Sequence, residues 1–328
     1  ARGDAAGMAG WPAYEPDTAD TNALFDVPYA AGATETGRRK VYCDFWAAQT
    51  NASPMEVAAA KLDDVMERFG EKKFDIDEID GSLDEKGPYQ NAFLQEMEVM
   101  NRLLAEIVRS LKELTLGFKG ELSMSDSMEA VQDALFMNQV PPKWVKISWA
   151  SMKALSGWLL NFTARLGQLE EWSGNPSDIP KCTWLSYLIN PQAFLTAVQQ
   201  VAAQKNQWEL DKLVTFTDVT KWETHDQVGQ VSKDGAYVCG LNMQGARWDT
   251  GNSSIERSKP KEMFCPMPVL SIRGLSVEKA DFSNMYMCPT YKTEFRGPTY
   301  VFCASLKTKS AAGRWVLAGV ALIMELSA

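Results

Sequence analysis

The chain has 328 residues, 45% of them hydrophobic and 23% charged, the composition of a globular protein large enough for two or three separate cores. Its formal net charge of −9 argues against nucleic acid as a partner, since nucleic-acid binding calls for a basic surface. The longest strongly apolar run, residues 315–324, is about half as long as a membrane span, so the sequence predicts a soluble fragment without membrane contact.

Residues 1–40 are rich in Gly, Ala, Asp, Thr and Pro without sustained periodicity, so this segment is predicted to be irregular. The first predicted helix begins at Ser53, because Ser53 and Glu56 form a capping-box pattern with Pro54 at the first helical position. Gly70 stands where the C-terminal cap of this helix is expected. The predicted apolar stripe comprises Met55, Leu62, Val65, Met66 and Phe69.

An acidic stretch, residues 75–85, follows the first helix. If Gly81 took the glycine position of a calcium-binding loop, positions one and twelve would be Ile76 and Gly87, neither of them a carboxylate, so a solvated linker is predicted. Apolar residues at helical spacing then predict four further helices, the last of which begins with Asn190 as its N-cap and Pro191 at its first position. Their approximate ranges are residues 89–116, 125–137, 151–172 and 190–205.

Beyond about residue 213 the hydrophobic pattern changes from helical spacing to alternation. The runs separated by turn residues predict six or seven strands, near residues 214–220, 236–243, 244–248, 263–273, 285–293, 299–306 and 314–326. The change from helix to strand is expected between residues 205 and 235, and Trp315–Leu326 is expected to be a strand. The predicted fold class is α+β, with a helical N-terminal half followed by a small antiparallel β-barrel.

The six cysteines are widely spaced, none stands in a C-x-x-C pair, and a single His leaves almost no zinc-ligand set. We therefore expect free, mostly buried thiols at Cys43, Cys182, Cys239, Cys265, Cys288 and Cys303. The sequence also lacks a Gly-rich loop ending in Gly-Lys-Ser/Thr, which would hold nucleotide phosphates. No catalytic, cofactor-binding or metal-binding residue is predicted.

Two local patterns leave alternatives open. His225 could act as a general base near neutral pH, although an exposed turn after a strand explains it more simply. Arg247 and Trp248 could clamp a ligand, with the indole stacking on it and the guanidinium binding an anion. The simpler interpretation places Trp248 in the barrel interior, while Arg247 and Asp249 fix the following turn.

Tryptophan is concentrated in the helical half, at Trp144, Trp149, Trp158, Trp172 and Trp184. These residues are too many for one pair of core helices, so some are expected to face a partner domain, since Trp is enriched at interfaces. The residues predicted to take part in an intramolecular interface or in its structural support are Trp144, Trp158, Arg247, Trp248, Tyr291 and Trp315.

Five different short blocks occur in order along residues 88–328. They are VPPKW at 140–144, PQAFLTAV at 191–198, GLNMQGARWD at 240–249, CPTYKT at 288–293 and WVLAGVAL at 315–322. As a set, they resemble the C-terminal end of a dynein heavy chain, the microtubule motor. The second and third blocks are more similar to axonemal than to cytoplasmic forms, with the outer arm as one option.

The resemblance implies three folded parts. Residues 41–140 would be a helical, lid-like subdomain of the last AAA+ module, 141–233 the helical part of the C-terminal domain, and 234–328 the β-barrel. This segment would have no catalysis or cofactor of its own and would brace the AAA+ ring and tune motility. ATP and Mg²⁺ would bind other modules of the parent chain, a minus-end-directed motor of cilia and flagella.

The partners implied by the resemblance are other AAA+ modules of the same heavy chain and other dynein heavy, intermediate and light chains. Microtubules would be reached only through the parent chain, because a net charge of −9 disfavours binding to an acidic track. The implied location is the ciliary or flagellar axoneme, with the cytoplasm as the alternative. A rival function is a free-standing binding protein with a ligand in the barrel mouth. A large exposed apolar face would favour the motor interpretation.

Overall fold

A computed structural model of the protein describes residues 53–83 and 85–326. The irregular segment predicted for residues 1–40 lies outside the described residues, and so does Cys43. Within the described ranges, no helix is both long enough and apolar enough to cross a lipid bilayer.

The helices of the described residues largely follow the predicted pattern. They are α1 (Pro54–Phe69), α2 (Ile76–Gly81), α3 (Pro88–Phe118), α4 (Asp126–Phe136), α5 (Pro142–Ile147), α6 (Leu155–Ser173), α7 (Pro191–Asn206) and α8 (Ala312–Leu317). The four helices predicted after the acidic stretch are confirmed as α3, α4, α6 and α7. The predicted solvated linker contains the short helix α2, which has no buried residue and whose N-cap Asp75 accepts a hydrogen bond from the N–H of Glu78 (3.1 Å).

The start of α1 confirms the predicted capping box. The hydroxyl of Ser53 accepts a hydrogen bond from the N–H of Glu56 (3.2 Å), and the Glu56 carboxylate accepts one from the N–H of Ser53 (2.6 Å). Gly70 ends the helix in the right-handed region, with φ −59°, and so does not form a left-handed cap. Met55 is 47% exposed, so its predicted place on the buried stripe is wrong, and the buried stripe begins at Ala58.

The strands are more numerous than predicted; those predicted at 214–220, 285–293 and 299–306 are confirmed, and the others are shorter. The observed strands are β1 (Thr183–Trp184), β2 (Leu213–Val219), β3 (Ala236–Cys239), β4 (Asn242–Gln244), β5 (Arg247–Asp249), β6 (Ser254–Glu256), β7 (Phe264–Pro266), β8 (Leu270–Ser276), β9 (Met285–Thr293), β10 (Tyr300–Lys307) and β11 (Ala321–Glu325). Apart from the two-residue β1, they all follow α7, which agrees with the predicted transition from helix to strand.

The described strands form three open sheets. One has the order β1-β3-β8-β2, the second β10-β9-β11-β4-β7, and the third is the β5-β6 pair. The α+β class is confirmed, but the antiparallel barrel is not. The two larger sheets are mixed, because β1 pairs with β3 and β9 with β11 in parallel, whereas β5 and β6 pair antiparallel. The edge strands β2 and β10 are joined by one side chain, as the Ser305 hydroxyl accepts from the N–H of Thr217 (2.9 Å) and donates to its carbonyl (3.2 Å).

Two predicted strands are each divided between different sheets. Residues 236–243 form β3 and β4, with Gly240 between them at φ +81°. This left-handed conformation suits Gly, and a Cβ there would lie 2.6 Å from the Trp184 ring. A side chain at position 240 would therefore obstruct the passage of the backbone from β3 to β4. Residues 263–273 are divided in the same way into β7 and β8.

The prediction of a continuous strand over Trp315–Leu326 is wrong in its first part. Residues 312–317 form α8, and the strand β11 begins only at Ala321. The Trp315 indole N–H donates to the Thr308 hydroxyl (2.7 Å), which anchors the helical turn. Gly319, at φ +64°, then reverses the backbone into β11. All five side chains of β11 are buried, so the strand lacks the alternation that sequence reasoning uses.

The described residues divide into two compact units. The first comprises residues 53–71 and Ile107–Pro142. In it α1 packs against α4, and the Lys61 ammonium donates to the carbonyl of Leu135 (2.8 Å). The apolar core of this unit includes Leu62, Val65, Phe69, Leu111, Leu114, Val131 and Leu135.

The second unit comprises Lys72–Glu106 and residues 143–326, and it contains all three sheets. Helix α7 packs on β8 and β2 of the four-stranded sheet. The predicted domain division at residues 141 and 234 stays a prediction. Residues on both sides of position 234 belong to this one unit.

Replacing Ser53 by Ala should lower the free energy of unfolding by about 0.5–2 kcal/mol, the usual loss for a capping hydroxyl. Ser125→Ala is the matched control, because Ser125 is the N-cap of α4 but makes no capping hydrogen bond with its side chain. Urea unfolding of both variants is the measurement. An equal effect of the two substitutions would contradict the capping role of Ser53.

The capping box of Ser53 and Glu56 also predicts that the free energy of unfolding depends on pH. Hydrogen bonds from the backbone and side chain of Ser53 lower the pKa of Glu56. The stabilisation by this carboxylate should therefore be present above the ordinary carboxylate pKa and disappear as the pH falls through the lowered value. Comparing wild type with Glu56→Gln in acid titrations of unfolding tests this, and parallel curves would count against it.

Candidate intramolecular interface

Four charged side chains come together inside the second unit, and we call them the ionic cluster. They are Glu96 of α3, Arg165 of α6, Lys292 of β9 and Glu325 of β11. Arg165, Glu96 and Glu325 are nearly inaccessible to solvent, and Lys292 is half-buried. Burying charges is costly unless each is paired and hydrogen-bonded. The contacts of these residues must therefore be accounted for one by one.

Arg165 is the centre of the ionic cluster. Its Nη2 donates to Oε2 of Glu325 (3.0 Å), and its Nε donates to Oδ1 of Asn161 (2.6 Å). The guanidinium carbon lies 4.0 Å from the centre of the Trp149 ring, a cation–π distance. Burial lowers the pKa of Arg165 to about 10, while Glu325 and Glu96 oppose that shift. The side chain therefore remains charged at neutral pH.

Glu96 holds the beginning of α7. Its carboxylate accepts hydrogen bonds from the backbone N–H groups of Ile189 (2.8 Å) and Asn190 (2.6 Å), and Asn190 is the predicted N-cap. The ammonium of Lys292 donates to the carbonyl of Ile189 (2.8 Å). Burial raises the pKa of Glu96, and the two N–H groups, Arg165 and Lys292 all act against the rise. One buried carboxylate thus connects α3 to the segment before α7.

Sequence reasoning missed the ionic cluster, although it left a signal. Arg165 lies between Phe162 and Leu166 on the apolar stripe of α6, and Glu325 ends the apolar run of β11. A charge within a stripe or strand that is otherwise apolar points to a buried partner. The pattern does not say which residue that partner is.

The tryptophans of the helical half lie mostly in the core. Trp144 and Trp158, two of the predicted interface residues, are fully buried with ring centres 6.1 Å apart, and Trp158 stacks on Trp149 at 4.8 Å. Trp172 is also buried, so the expectation that some of these side chains face a partner domain is not met by these four. Trp149 lies against the Arg165 guanidinium, while Trp172 stacks on Phe93. Trp184 is half-buried and stacks on a neighbouring tyrosine.

Arg247 and Trp248 lie on β5 of the two-stranded sheet. Trp248 is buried, as expected, although no barrel surrounds it among the described strands. Asp249 holds the following turn by accepting hydrogen bonds from the N–H groups of Gly251 (3.0 Å) and Asn252 (3.2 Å). Arg247 takes no part in these bonds, and its buried Nε has no hydrogen-bond partner among the described residues. A role for Arg247 at an interface stays a prediction.

Tyr291 lies beside a side chain that ties two loops together. Arg296 Nη2 donates to the carbonyl of Gly319 (2.7 Å) and to Oε1 of Gln244 (2.6 Å), and its guanidinium carbon is 5.9 Å from the Tyr291 ring. Arg296 has φ 52°, a left-handed conformation that is unfavourable for a residue with a side chain. These contacts connect the loop of residues 294–299 to residues 316–320, which are the end of α8 and the turn after it, and we call these two segments the tied loops.

The tied loops expose large apolar side chains. Leu317 is 91% exposed, Phe295 72% and Val316 64%. Trp315, predicted to take part in the interface, is buried directly before two of them. The structure therefore places Tyr291 and Trp315 in supporting positions, and their exposed neighbours form the candidate interface. Sequence reasoning missed these neighbours, because exposure at the end of a short helix has no periodic signature.

The other candidate chemistry is sparse in the described residues. His225 lies in an exposed turn, with its Nε2 3.2 Å from Oδ1 of Asp226, as the simpler interpretation expects. Among residues 53–83 and 85–326 no three possible metal ligands lie together. The five cysteines of this part are free thiols, which confirms the expectation for Cys182, Cys239, Cys265, Cys288 and Cys303.

Comparison with known proteins identifies the family. A family model described as the C-terminal domain of the dynein heavy chain matches residues 28–324. The protein is 44% identical over 265 residues to the ciliary dynein beta chain of Heliocidaris crassispina, and the match spans 81% of this chain and 6% of that protein. For the flagellar outer arm dynein beta chain of Chlamydomonas reinhardtii the identity is 44% over 277 residues, spanning 84% and 6%. For dynein axonemal heavy chain 17 of Homo sapiens it is 42% over 279 residues, spanning 85% and 6%. The chain thus spans 6% of the length of these relatives.

Arg165→Met should lower the free energy of unfolding by about 3–5 kcal/mol, because it leaves the Glu325 carboxylate buried without its cation. Adding Glu325→Gln should restore part of this loss, since the unpaired charge is then removed. Lys72→Met is the control, because it breaks the exposed Lys72–Glu170 pair, a kind worth about 0–1 kcal/mol. Denaturant unfolding of these variants and of Glu325→Gln alone measures the coupling. Additive effects of the Arg165 and Glu325 substitutions would contradict it.

Proposed function

The chain belongs to the dynein heavy chain family, as its C-terminal domain, and on this premise we propose that it is a non-catalytic part of an axonemal motor that braces the AAA+ ring and tunes motility. The parent chain is then an ATP-driven, minus-end-directed microtubule motor of cilia and flagella. The names of the relatives, ciliary, flagellar and axonemal, support the axoneme as its location. The flagellar outer arm beta chain among them favours an outer arm.

The observation that carries the proposal is the pair of tied loops with exposed Leu317 and Phe295. A domain that contacts moving modules acts by changing the relative stability of their conformations. Such a domain needs a rigid internal structure and exposed apolar side chains that can contact the modules. The ionic cluster supplies the first, and the tied loops supply the second. Because Arg296 already fixes the two tied loops to each other, binding to a partner costs little conformational entropy in these loops.

The partners proposed for this surface are other AAA+ modules of the same heavy chain. Other dynein heavy, intermediate and light chains are further partners of the whole assembly, and ATP and Mg²⁺ bind modules outside this segment. A net charge of −9 supports the view that the acidic track is contacted elsewhere in the parent chain.

The rival function, a free-standing binding protein with a ligand in a barrel mouth, is less well supported. The sheets of the described residues have open strand orders, so they do not form the mouth in which such a ligand would sit. The family match also extends over residues 28–324 and so includes both the helices and the sheets.

The purified protein should neither bind ATP tightly nor hydrolyse it, because its sequence offers no phosphate-binding loop. The measurement is phosphate release by the purified protein against a buffer blank, with an intact heavy chain as the positive control. Turnover that follows the protein through successive purification steps would contradict the proposal that this segment is non-catalytic.

Deleting residues 234–328 from the heavy chain tests the bracing role but also destabilises the rest of the unit. The deletion removes Lys292 and Glu325 and leaves Arg165 and Glu96 without these partners. Point substitutions at exposed side chains test the surface without removing these buried partners.

In the intact heavy chain, Phe295→Ser combined with Leu317→Ser should change stall force, run length or velocity while hydrolysis stays within about tenfold of wild type. Met263→Ser is the control, because Met263 is also 72% exposed but lies outside the tied loops. Microtubule-stimulated hydrolysis and single-molecule stepping under load are measured on the same preparations. Loss of hydrolysis in a folded ring, or unchanged stepping, would count against a bracing role at this surface.

A further inference from the structure

A cavity of about 240 Å³ lies in the second unit, between α7, β8 and the loop of residues 232–235. One part of its wall is apolar and includes Val198 and Val201 of α7 and Leu275 of β8. An apolar cavity of about 150 Å³ is large enough for benzene, so this one has room for roughly ten non-hydrogen atoms. It lies apart from the tied loops and has no part in the proposed bracing role.

Two buried polar atoms of residues that line this cavity have no hydrogen-bond partner among the described residues. They are the hydroxyl oxygen of Tyr89 and Nε of Arg273. Tyr89 is only 3% exposed. Buried polar groups in folded proteins almost always have a partner, and each one left without costs about 1–3 kcal/mol. Two such groups among the residues that line one cavity are available to hydrogen-bond a molecule bound there.

The two groups call for the same kind of ligand atom. The guanidinium Nε–H is a donor at every accessible pH. Burial raises the pKa of the Tyr89 hydroxyl, so it remains protonated and can donate as well. A ligand that satisfies both must therefore present acceptor oxygens.

The charges around the cavity favour an anion. Lys205, Lys233 and Arg273 line it, against the single carboxylate of Asp234. Arg273 keeps its Nη2 on Asp218, which leaves its Nε available. Lys205 pairs with Asp234 (2.7 Å) at the exposed rim, a kind of pair that is weak enough to rearrange on binding.

We propose that this cavity binds a small organic anion, a carboxylate or phosphate monoester carried on a compact apolar group. The anionic oxygens accept hydrogen bonds from Tyr89 Oη and Arg273 Nε, and the apolar group packs against Val198, Val201 and Leu275. Lys205 and Lys233 provide the surrounding positive potential.

Phenyl phosphate and benzoate are the probes, titrated calorimetrically into the purified protein, with inorganic phosphate and phenol as their separate halves. Phenyl phosphate or benzoate should bind. Inorganic phosphate and phenol should each bind at least about tenfold more weakly, because neither can contact both the two donors and the apolar side chains. Tyr89→Phe and Arg273→Lys should each weaken binding by about fivefold to tenfold, the effect of losing one hydrogen bond. Lys212→Gln is the control, since Lys212 is an exposed cation outside the cavity, and it should leave binding unchanged.

Tyr89→Phe removes one oxygen atom and keeps the ring, so it tests the proposal even if the Arg273 variant does not fold. Phenyl phosphate should raise the melting temperature of the wild type more than that of Tyr89→Phe. Failure of both organic anions to bind at millimolar concentration, or equal binding by wild type and Tyr89→Phe, would overturn the proposal. So would a crystal structure grown with phenyl phosphate in which only water contacts the two donors.

Discussion

The second unit depends on the burial of the Arg165 guanidinium. A charge inside a protein costs several kcal/mol unless its partners are in place, and here those partners come from different parts of the sequence. Glu325 is 160 residues away in sequence, and the aromatic face beneath the guanidinium belongs to Trp149. The ion pair between Arg165 and Glu325 forms only when the helical part and the five-stranded sheet have assembled together. Helices and sheet are therefore expected to form one cooperative unit.

Glu96 extends the same constraint to α7. By accepting hydrogen bonds from the N–H groups of Ile189 and Asn190, it fixes the backbone that leads into α7, and the Lys292 ammonium donates to the Ile189 carbonyl from the sheet side. Helix α7 in turn packs on β8 and β2. A unit connected in this way has few internal degrees of freedom. That is the property a domain needs if it influences other modules only through the conformations it stabilises.

The helices are predicted well because their signals are local. Two helix starts are indicated within four residues of sequence, one by Ser53 with Glu56 and one by Asn190 with Pro191. The apolar stripe of each helix begins from there. The sheets are predicted less well. The approximate position of each strand follows from its residues, but Gly240 and Gly319 send the backbone between sheets or out of a helix. Which strand lies beside which depends on contacts far apart in sequence.

The sequence by itself determined the α+β class, most helix starts, the order of helices before strands and the family resemblance, because each depends on short patterns of residues. It located Trp158, Trp248 and Trp315 as structurally important and placed Trp248 in an interior, and the structure buries all three. Only the tertiary structure decided that the two larger sheets of the described residues are mixed and open, and that Arg165 and Glu325 are partners. The physical reason is that the free energy of a buried charge or a parallel strand pair depends on which distant groups surround it, and no local pattern records that.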